Sequence, residues 1–337
     1  MKRDHLLLLL FSIFSSIGLY AQTNDFYDDA PTSPLKSSGK ILITGEVEKD
    51  MVVDLAALPL RNVIVKETTL GSDKPGFTGA YKYDGYSLYD ILDGVVLKKK
   101  NASEFPPIID LYVEVSNEAG EKVVLSWGEI YYPNFRHQIM VATAVTRIVP
   151  SKTKDLWPLP TDSKLVVGPD LVTVRNISNP TRITVRSLDS KYEIKKDLSP
   201  MLSEKIRMCV NGAEKSELTK IPKKSTLYTY NTVFYGRGKG IHGTTPFKGV
   251  LLSSLLNGMY NMSADNLQKG LVVIAGVDGY HSAFTLSEIV NRNDQQELLV
   301  VDRGKEDGAG FFSIFPACDF FSDRAVKSVM EINLLLP

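Results

Sequence analysis

The sequence has little of what marks several specialised classes of protein. Lys+Arg and Asp+Glu both number 39 among 337 residues, so the formal net charge is zero. Without an overall field of one sign, nucleic acid is not expected as a partner. The chain has two cysteines, no C-x-x-C pair and four histidines, which makes a structural zinc site unexpected.

Two interpretations of the cysteines, Cys209 and Cys318, stay open. In an exported protein they can form a disulfide. Their apolar contexts, IRMCV and FFSIFPACDFF, favour instead two small buried side chains. The sequence does not give the Cα separation that a bridge requires.

A long apolar run is also missing. The N-terminus reads MKRDH and then LLLLLFSIFSSIGLYAQ, a basic segment followed by an apolar stretch that is too short to span a bilayer. This pattern predicts a secretory signal peptide over residues 1–21 and no integral membrane segment after its cleavage. Residues 22–38, rich in Asp, Ser, Thr and Pro, predict a disordered lead-in. The protein is therefore expected to be exported, to the periplasm or the extracellular space.

What the chain does contain is an internal repeat. Both halves show the same succession of short apolar β runs. In each half a glycine precedes an apolar stretch with helical spacing, YDGYSLYDILDG at 83–94 and FKGVLLSSLLNG at 247–258. The repeat predicts a first domain at 39–190, a linker at 191–202 and a second domain at 203–337.

The segments ITGEVEKDMVVDLAALP, VDGYHSAFTLSEI and RAVKSVMEINL, with the two glycine-led stretches, resemble the molybdopterin-binding domain of the sulfite oxidase family. The resemblance covers most of the chain after Gly39. It implies an α+β fold with two tandem sulfite-oxidase-like mixed-sheet domains, the first of them degenerate. It also implies a pterin cofactor whose molybdenum is held by a cysteine thiolate.

The metal-ligating cysteine of that family has no counterpart here. The resemblance places it within residues 65–84 or 228–248, and neither interval contains cysteine. We therefore expect a non-catalytic protein, a pseudoenzyme, with no cofactor, no catalytic residue and no metal ligand. It would serve ligand binding or assembly, with a small anionic ligand or a protein as its partner. The alternative is a molybdopterin-dependent oxidoreductase with an atypical metal site.

The stretch GRGKGIHGTTPFKG, residues 236–249, contains a formal G-x-G-x-x-G. A dinucleotide site is not favoured, because no helix follows the last glycine directly. The backbone N–H groups and the side chains of Arg237, Lys239 and His242 are suited to an anion. The alternative is a solvated connector.

Four further residues complete the predicted ligand site. Asp278 and Tyr280 belong to a tight Asp-Gly-Tyr turn. Arg303 follows a buried strand and Arg324 lies near the last strand, where the family resemblance implies cations around the cofactor. The identity of the ligand and the oligomeric state stay open.

Overall fold

The computed structural model describes residues 28–29, 31–189, 192–238, 240–304 and 312–337. The predicted signal peptide and Lys239 lie outside these residues. The chain is 42% strand and 10% helix, and its small sheets are arranged like the blades of a four-bladed β-propeller. Within the described residues, no helix has both the length and the apolar character needed to cross a membrane.

The predicted α+β class, with two sulfite-oxidase-like mixed-sheet domains, is wrong. The helical spacing at 83–94 and 247–258 produces single turns of helix, of five and four residues. Most of the apolar runs are short and bounded by glycine, proline or polar turns, which favours strands. The domain boundaries given above stay a prediction.

The first half of the chain, residues 28–189, forms two sheets. Sheet I is built around β9, which pairs with four other strands, all antiparallel. Its strands are β1 (Asp28–Asp29), β2 (Ser33–Pro34), β5 (Arg61–Thr69), β6 (Gly76–Ser87), β9 (Ile139–Val149) and β10 (Lys164–Val167). Sheet II contains β3 (Lys40–Gly45), β4 (Met51–Asp54), β7 (Leu111–Ser116), β8 (Lys122–Ser126) and β11 (Arg182–Ser187).

The second half, residues 192–337, also forms two sheets and a small hairpin. Sheet III contains β12 (Ile206–Val210), β13 (Ala213–Leu218), β18 (Leu271–Gly276), β19 (His281–Thr285) and β22 (Val329–Leu335). Sheet IV contains β14 (Tyr228–Tyr230), β17 (Phe247–Leu251), β20 (Leu299–Asp302) and β21 (Phe312–Phe315). The hairpin pairs β15 (Phe234–Gly236) with β16 (Gly240–Gly243).

The helices are short and join strands. They are α1 (Leu88–Leu92), α2 (Trp127–Tyr131), α3 (Leu252–Leu255), α4 (Ala264–Lys269) and α5 (Leu286–Val290), with 3₁₀ turns at Leu55–Ala57 and Ser322–Arg324. Ser126 and Thr285 begin α2 and α5 with capping boxes, in which Glu129 and Glu288 are the returning side chains.

The strand orders agree with the internal repeat. Sheet II runs β4-β3-β11-β7-β8 and sheet III runs β13-β12-β22-β18-β19, which is the same order when the five strands of each sheet are numbered as they occur along the chain. Each of these sheets has one parallel pair, β3 with β11 and β12 with β22. Sheet I continues β5-β6-β9-β10, and sheet IV repeats this as β14-β17-β20-β21.

Part of the predicted disordered lead-in belongs to the first sheet. Ser33 and Pro34 pair with Val145 and Ala144 of β9. Leu35 is buried with Tyr83 and Met140 on one face of sheet I. We call this the outer face, because the other face, with Ile139 and Val141, packs into the main core of the first half. Apolar contact with a long central strand therefore orders a segment whose polar composition indicated none.

The halves meet at β8, β19 and the helices that follow them. The amide of Ala283 donates to the carbonyl oxygen of Ile109 (2.9 Å). Two further backbone hydrogen bonds join the halves at equivalent positions. Leu171 N donates to Asn291 O, and Phe320 N donates to Tyr132 O, both at 2.7 Å.

One buried arginine network in this junction is centred on Arg175. Its Nε donates to Asp170 (2.8 Å) and its Nη2 to Glu129 (3.0 Å). Thr285, the capping residue of the other half, accepts from Nη1 (3.2 Å) and donates to Glu129. The network therefore includes a side chain from each half.

The second network repeats the first around Arg324. Its Nε donates to Asp319 (2.8 Å) and its Nη2 to Glu288 (2.5 Å). Ser126, from the first half, accepts from Nη1 (3.1 Å) and donates to Glu288 (2.8 Å). In both networks the arginine follows its aspartate by five residues and the glutamate belongs to a capping box.

Candidate functional site

A cavity of about 250 Å³ lies between sheet IV and the β15–β16 hairpin. We call it the sheet IV cavity. Two of the predicted ligand residues, His242 and Arg303, line it together. The other lining residues are Phe234, Gly243, Thr245, Phe247, Val301, Ser313, Ile314, Phe315, Ala325, Val326 and Lys327.

The apolar part of the cavity consists of aromatic rings. Phe247 and Phe315 stack with centroids 4.2 Å apart and planes 2° from parallel. Phe234 meets both rings at steep angles, at 5.3 Å and 6.1 Å. Residues alternate sides along a strand, so Phe247 and Val301 turn to the outer face while Val250 and Val300 enter the core of the second half.

The charged side chains that line the cavity, among the residues that the structure describes, are the cations Arg303 and Lys327. His242, Arg303 and Lys327 line it with the hydroxyl residues Thr245 and Ser313. Among the described residues that line it there is no Asp or Glu. Cationic and hydroxyl groups above an apolar surface favour an anion that also has an apolar part.

The corresponding face of the first half is covered. On sheet I the outer face includes Tyr83 and Met140, and Trp157 and Leu159 pack against it. Trp157 Nε1 donates to Ile148 O (3.0 Å), and Tyr81 donates its hydroxyl to Pro158 O (2.6 Å). The covering segment is therefore held to the sheet by hydrogen bonds as well as by apolar contact.

The covering segment is residues 150–163, between β9 and β10. Its counterpart between β20 and β21 is the shorter segment 303–311, of which 305–311 lie outside the described residues. In the part of the second half that the structure describes, no tryptophan covers the outer face of sheet IV.

Arg237, although close to His242 in sequence, does not line the cavity. It forms an ion pair with Asp323 (2.5 Å) and lies near the rings of Tyr132 and Phe321. Asp323, an acid near the last strand, thus partly neutralises the cation that the sequence assigned to an anion.

Asp278 and Tyr280 form the turn that the sequence predicted. Asp278 Oδ1 accepts from the amide of Tyr280 (3.0 Å), and the Tyr280 hydroxyl donates to Asp323 O (2.6 Å). Burial raises the pKa of the Tyr280 hydroxyl. Both side chains therefore have partners within the protein, and neither lines the cavity.

Arg324 is fully buried in the junction and is directed at carboxylates of its own chain. The two networks contain four carboxylates and two guanidiniums. Burial raises the pKa values of Glu129, Asp170 and Asp319 in spite of the arginines beside them. For Glu288, burial acts in the same direction, but Arg324, Arg292 and the Ser126 hydroxyl together outweigh it and the pKa is lowered. The two guanidiniums therefore offset the burial of these carboxylates only in part.

Glu288, Cys318 and Asp319 place their ligand atoms within 4.8 Å of one another. This grouping does not favour a metal. Arg324 already bonds both carboxylates, and burial raises the pKa of the Cys318 thiol, so the thiolate that a metal requires is disfavoured. The guanidinium provides the positive charge that a metal ion would supply.

Ser87, Asp90 and His137 lie together in the first half but do not form a catalytic triad. Ser87 Oγ lies 3.0 Å and Asp90 Oδ2 lies 3.6 Å from the same ring nitrogen, Nδ1 of His137. A triad needs the nucleophile and the acid on opposite ring nitrogens. Ser87 is also fully buried and caps α1, which accounts for its position.

The molybdenum cofactor that the resemblance implies needs a thiolate ligand. No cysteine lines the sheet IV cavity in the part of the chain that the structure describes. Cys209 and Cys318 are free and buried, so they are not joined by a disulfide, and burial raises the pKa of both thiols. The described residues of the cavity therefore do not fit this cofactor.

Sequence reasoning missed Lys327, Thr245 and the phenylalanines of the cavity, since strands far apart in the chain bring them together. It also missed both junction networks. A signal for those was present, because an aspartate followed five residues later by an arginine occurs at the same point of each half, Asp170 with Arg175 and Asp319 with Arg324.

No model of a known protein family matches this chain, and a comparison with curated proteins finds no match either.

Proposed function

We propose that this chain is an exported, non-catalytic binding protein whose sheet IV cavity takes a small anionic ligand with a flat apolar part. The observation that carries the proposal is the outer face of sheet IV. It is apolar and lies open beneath cationic residues in the described structure, whereas Trp157 covers the corresponding face of sheet I. Export is inferred from the basic and apolar N-terminal pattern.

The chemistry of the ligand follows from the two parts of the cavity. The stacked rings of Phe247 and Phe315 offer apolar surface for a flat group. His242 and Lys327 are placed for an anionic group. A cavity of about 250 Å³ lies below the range of roughly 300–1,000 Å³ that drug-sized ligands occupy, which favours a single substituted ring.

Binding is favoured over catalysis because the described residues of the cavity include no activated nucleophile. Its hydroxyl residues are Thr245 and Ser313, and its only ring base is His242. No carboxylate lines the cavity among the described residues to orient that ring, as the acid of a triad does.

Calorimetric titration with three probes tests the proposal. Phenyl phosphate has both required features, inorganic phosphate has only the charge, and benzyl alcohol has only the ring. We expect phenyl phosphate to bind most tightly, and its affinity to fall as salt is added because exposed charges are screened. No heat and no change in melting temperature with any of the three would overturn the proposal.

Variants locate the binding. Lys327→Ala is expected to weaken phenyl phosphate binding by about 1 kcal/mol, or roughly fivefold. Lys248→Ala is the matched control, because Lys248 is exposed on β17 and alternates to the opposite side from Phe247. Thr245→Trp places an indole over the aromatic surface and is expected to abolish binding. Equal weakening by the two lysine variants would show non-specific attraction and contradict the assignment.

A further inference from the structure

A separate cluster of buried ionisable groups lies where the two halves meet. His281 begins β19 in the second half, while Lys99 and Asp110 belong to the segment between α1 and β7 in the first half. Lys99 Nζ lies 2.8 Å from Asp110 Oδ1, and both side chains are buried. His281 is 2% exposed, and its Nε2 lies 3.9 Å from Asp110 Oδ2.

The surroundings of His281 determine which ring nitrogen carries the proton. Nδ1 lies 2.8 Å from the carbonyl oxygen of Gly279, which can only accept, so Nδ1 donates. In the neutral ring Nε2 is then an acceptor, and it has no hydrogen-bond partner among the described residues. The ring stacks on Phe105 of the first half, with centroids 4.0 Å apart and planes at 23°.

The charges around His281 are already balanced. Lys99 neutralises Asp110 and also donates to the carbonyl oxygens of Phe105 and Pro107, which fixes its position. From sheet III, Glu331 bonds Arg207 and the hydroxyl of Tyr192, and the ring of Tyr192 lies 5.1 Å from that of His281. In the turn before His281, Asp278 accepts from the amide of Tyr280. Asn101 donates its amide to Asp110 (3.0 Å).

We propose that His281 makes the junction between the two halves acid-sensitive, because a proton on its ring adds a second positive charge beside an ion pair that is already neutral. The added charge is buried and Asp110 is shared with Lys99, so protonation is unfavourable in the folded state. Ala283, two residues along β19, donates to Ile109 next to Asp110. The protonated ring would therefore lie close to a backbone hydrogen bond that joins the two halves.

The direction of the pH dependence follows from the environment of the ring. Burial lowers the pKa of His281 below the ordinary value of 6.5; the Gly279 bond and Asp110 act in the opposite direction, and Lys99 adds to the lowering. The unfolded chain binds a proton near pH 6.5, whereas the folded chain binds it only at lower pH. The stability contributed by the neutral ring is thus fully present above about pH 6.5 and is lost as the pH falls below it.

Urea unfolding of the full-length protein between pH 7.5 and 5 tests the proposal. Relative to His281→Gln, the unfolding equilibrium constant of the wild type is expected to rise by up to about tenfold for each pH unit below 6.5, because one proton is involved. His137→Gln, a change at a half-exposed histidine away from this cluster, serves as the control for general acid effects. Parallel profiles for the wild type and His281→Gln would overturn the proposal.

A second variant reverses the effect. In Lys99→Met, Asp110 loses its cation, so a protonated His281 becomes its partner. The stability of Lys99→Met relative to Lys99→Met/His281→Gln is then expected to increase as the pH falls. If Lys99→Met instead lost stability on acidification as the wild type does, Lys99 would not determine the direction of the pH dependence, which would contradict the proposal.

Direct titration keeps the proposal falsifiable if these variants fail to fold. The ring carbons of histidine in the wild-type protein can be followed by NMR as the pH is lowered. The signal that His281→Asn removes, or the ring signal that none of His5→Gln, His137→Gln and His242→Gln removes, is expected to titrate below pH 6.5. Titration of that ring at or above 6.5 would overturn the proposal.

Discussion

At the junction, each half supplies an aspartate, an arginine five residues later and a glutamate from a capping box. On the outer faces of sheets I and IV, by contrast, the first half supplies a covering segment with Trp157 and the second half supplies a cavity. A buried charge needs all its partners, so neither copy of the network can change alone. An outer sheet face can be covered or left open at much smaller cost, and this is where the halves differ.

The largest expected effect comes from removing either buried arginine. Arg175→Met and Arg324→Met each leave two buried carboxylates without their cation, and we expect each to reduce the free energy of unfolding by about 3–5 kcal/mol. Urea denaturation at pH 7 measures this. Arg61→Met is the control, because the Arg61–Asp90 pair is partly exposed and water screens it, so its loss is expected to have a much smaller effect. A large difference between the losses caused by Arg175→Met and Arg324→Met would show that the two networks are not equivalent.

Uncovering sheet I is expected to have the next largest effect. Trp157→Ala removes apolar contact with the outer face and the hydrogen bond to Ile148 O, and we expect a loss of about 2–3 kcal/mol. Indole in excess is expected to restore part of the melting temperature by filling the opened space. If the loss is below about 0.5 kcal/mol, the segment does not act as a cover and the comparison with sheet IV fails.

The smallest effects are expected where the two capped helices differ. α2 has Gly128 where α5 has Ser287, which donates to Asp170 (3.3 Å). A methyl group on Gly128 would meet the guanidinium of Arg324, so Gly128→Ala is expected to cost about 1–2 kcal/mol. Ser287→Ala removes two hydrogen bonds, the one donated to Asp170 and the one accepted from Asn291 Nδ2 (2.8 Å), and is expected to cost about 1–2 kcal/mol. Thermal unfolding ranks the two, and a neutral Gly128→Ala would show that Arg324 has room to move.

The order of β runs could be predicted from the sequence, because glycine, proline and polar turns separate them. The lengths of the helices could not. Leu88, Ile91 and Leu92 have helical spacing, yet α1 ends after five residues, since spacing over one turn does not determine whether a second turn follows. The wrong fold class came from the family resemblance, because a few short segments in common do not determine how the strands assemble into sheets.

Part of the candidate site could also be predicted. His242 was proposed from the glycine-rich loop and Arg303 from its place after a buried strand, and both line the cavity. Lys327 and Phe315 come from distant segments, so no local pattern could associate them with the loop. Arg324 was expected near a ligand because the family resemblance implies cations around the cofactor, but its partners are carboxylates of the junction.

The hydroxyls of Ser126 and Thr285, each of which forms hydrogen bonds in both halves, influence how the two halves dock. Each caps a helix in its own half and contacts the glutamate of the other half. In any alternative docked arrangement the same carboxylates and guanidiniums would lose water without gaining these partners, at a cost of several kcal/mol for each ion. The twin networks therefore select one relative placement of the two repeats, and they contribute more to the uniqueness of the assembled chain than to the strength of its association.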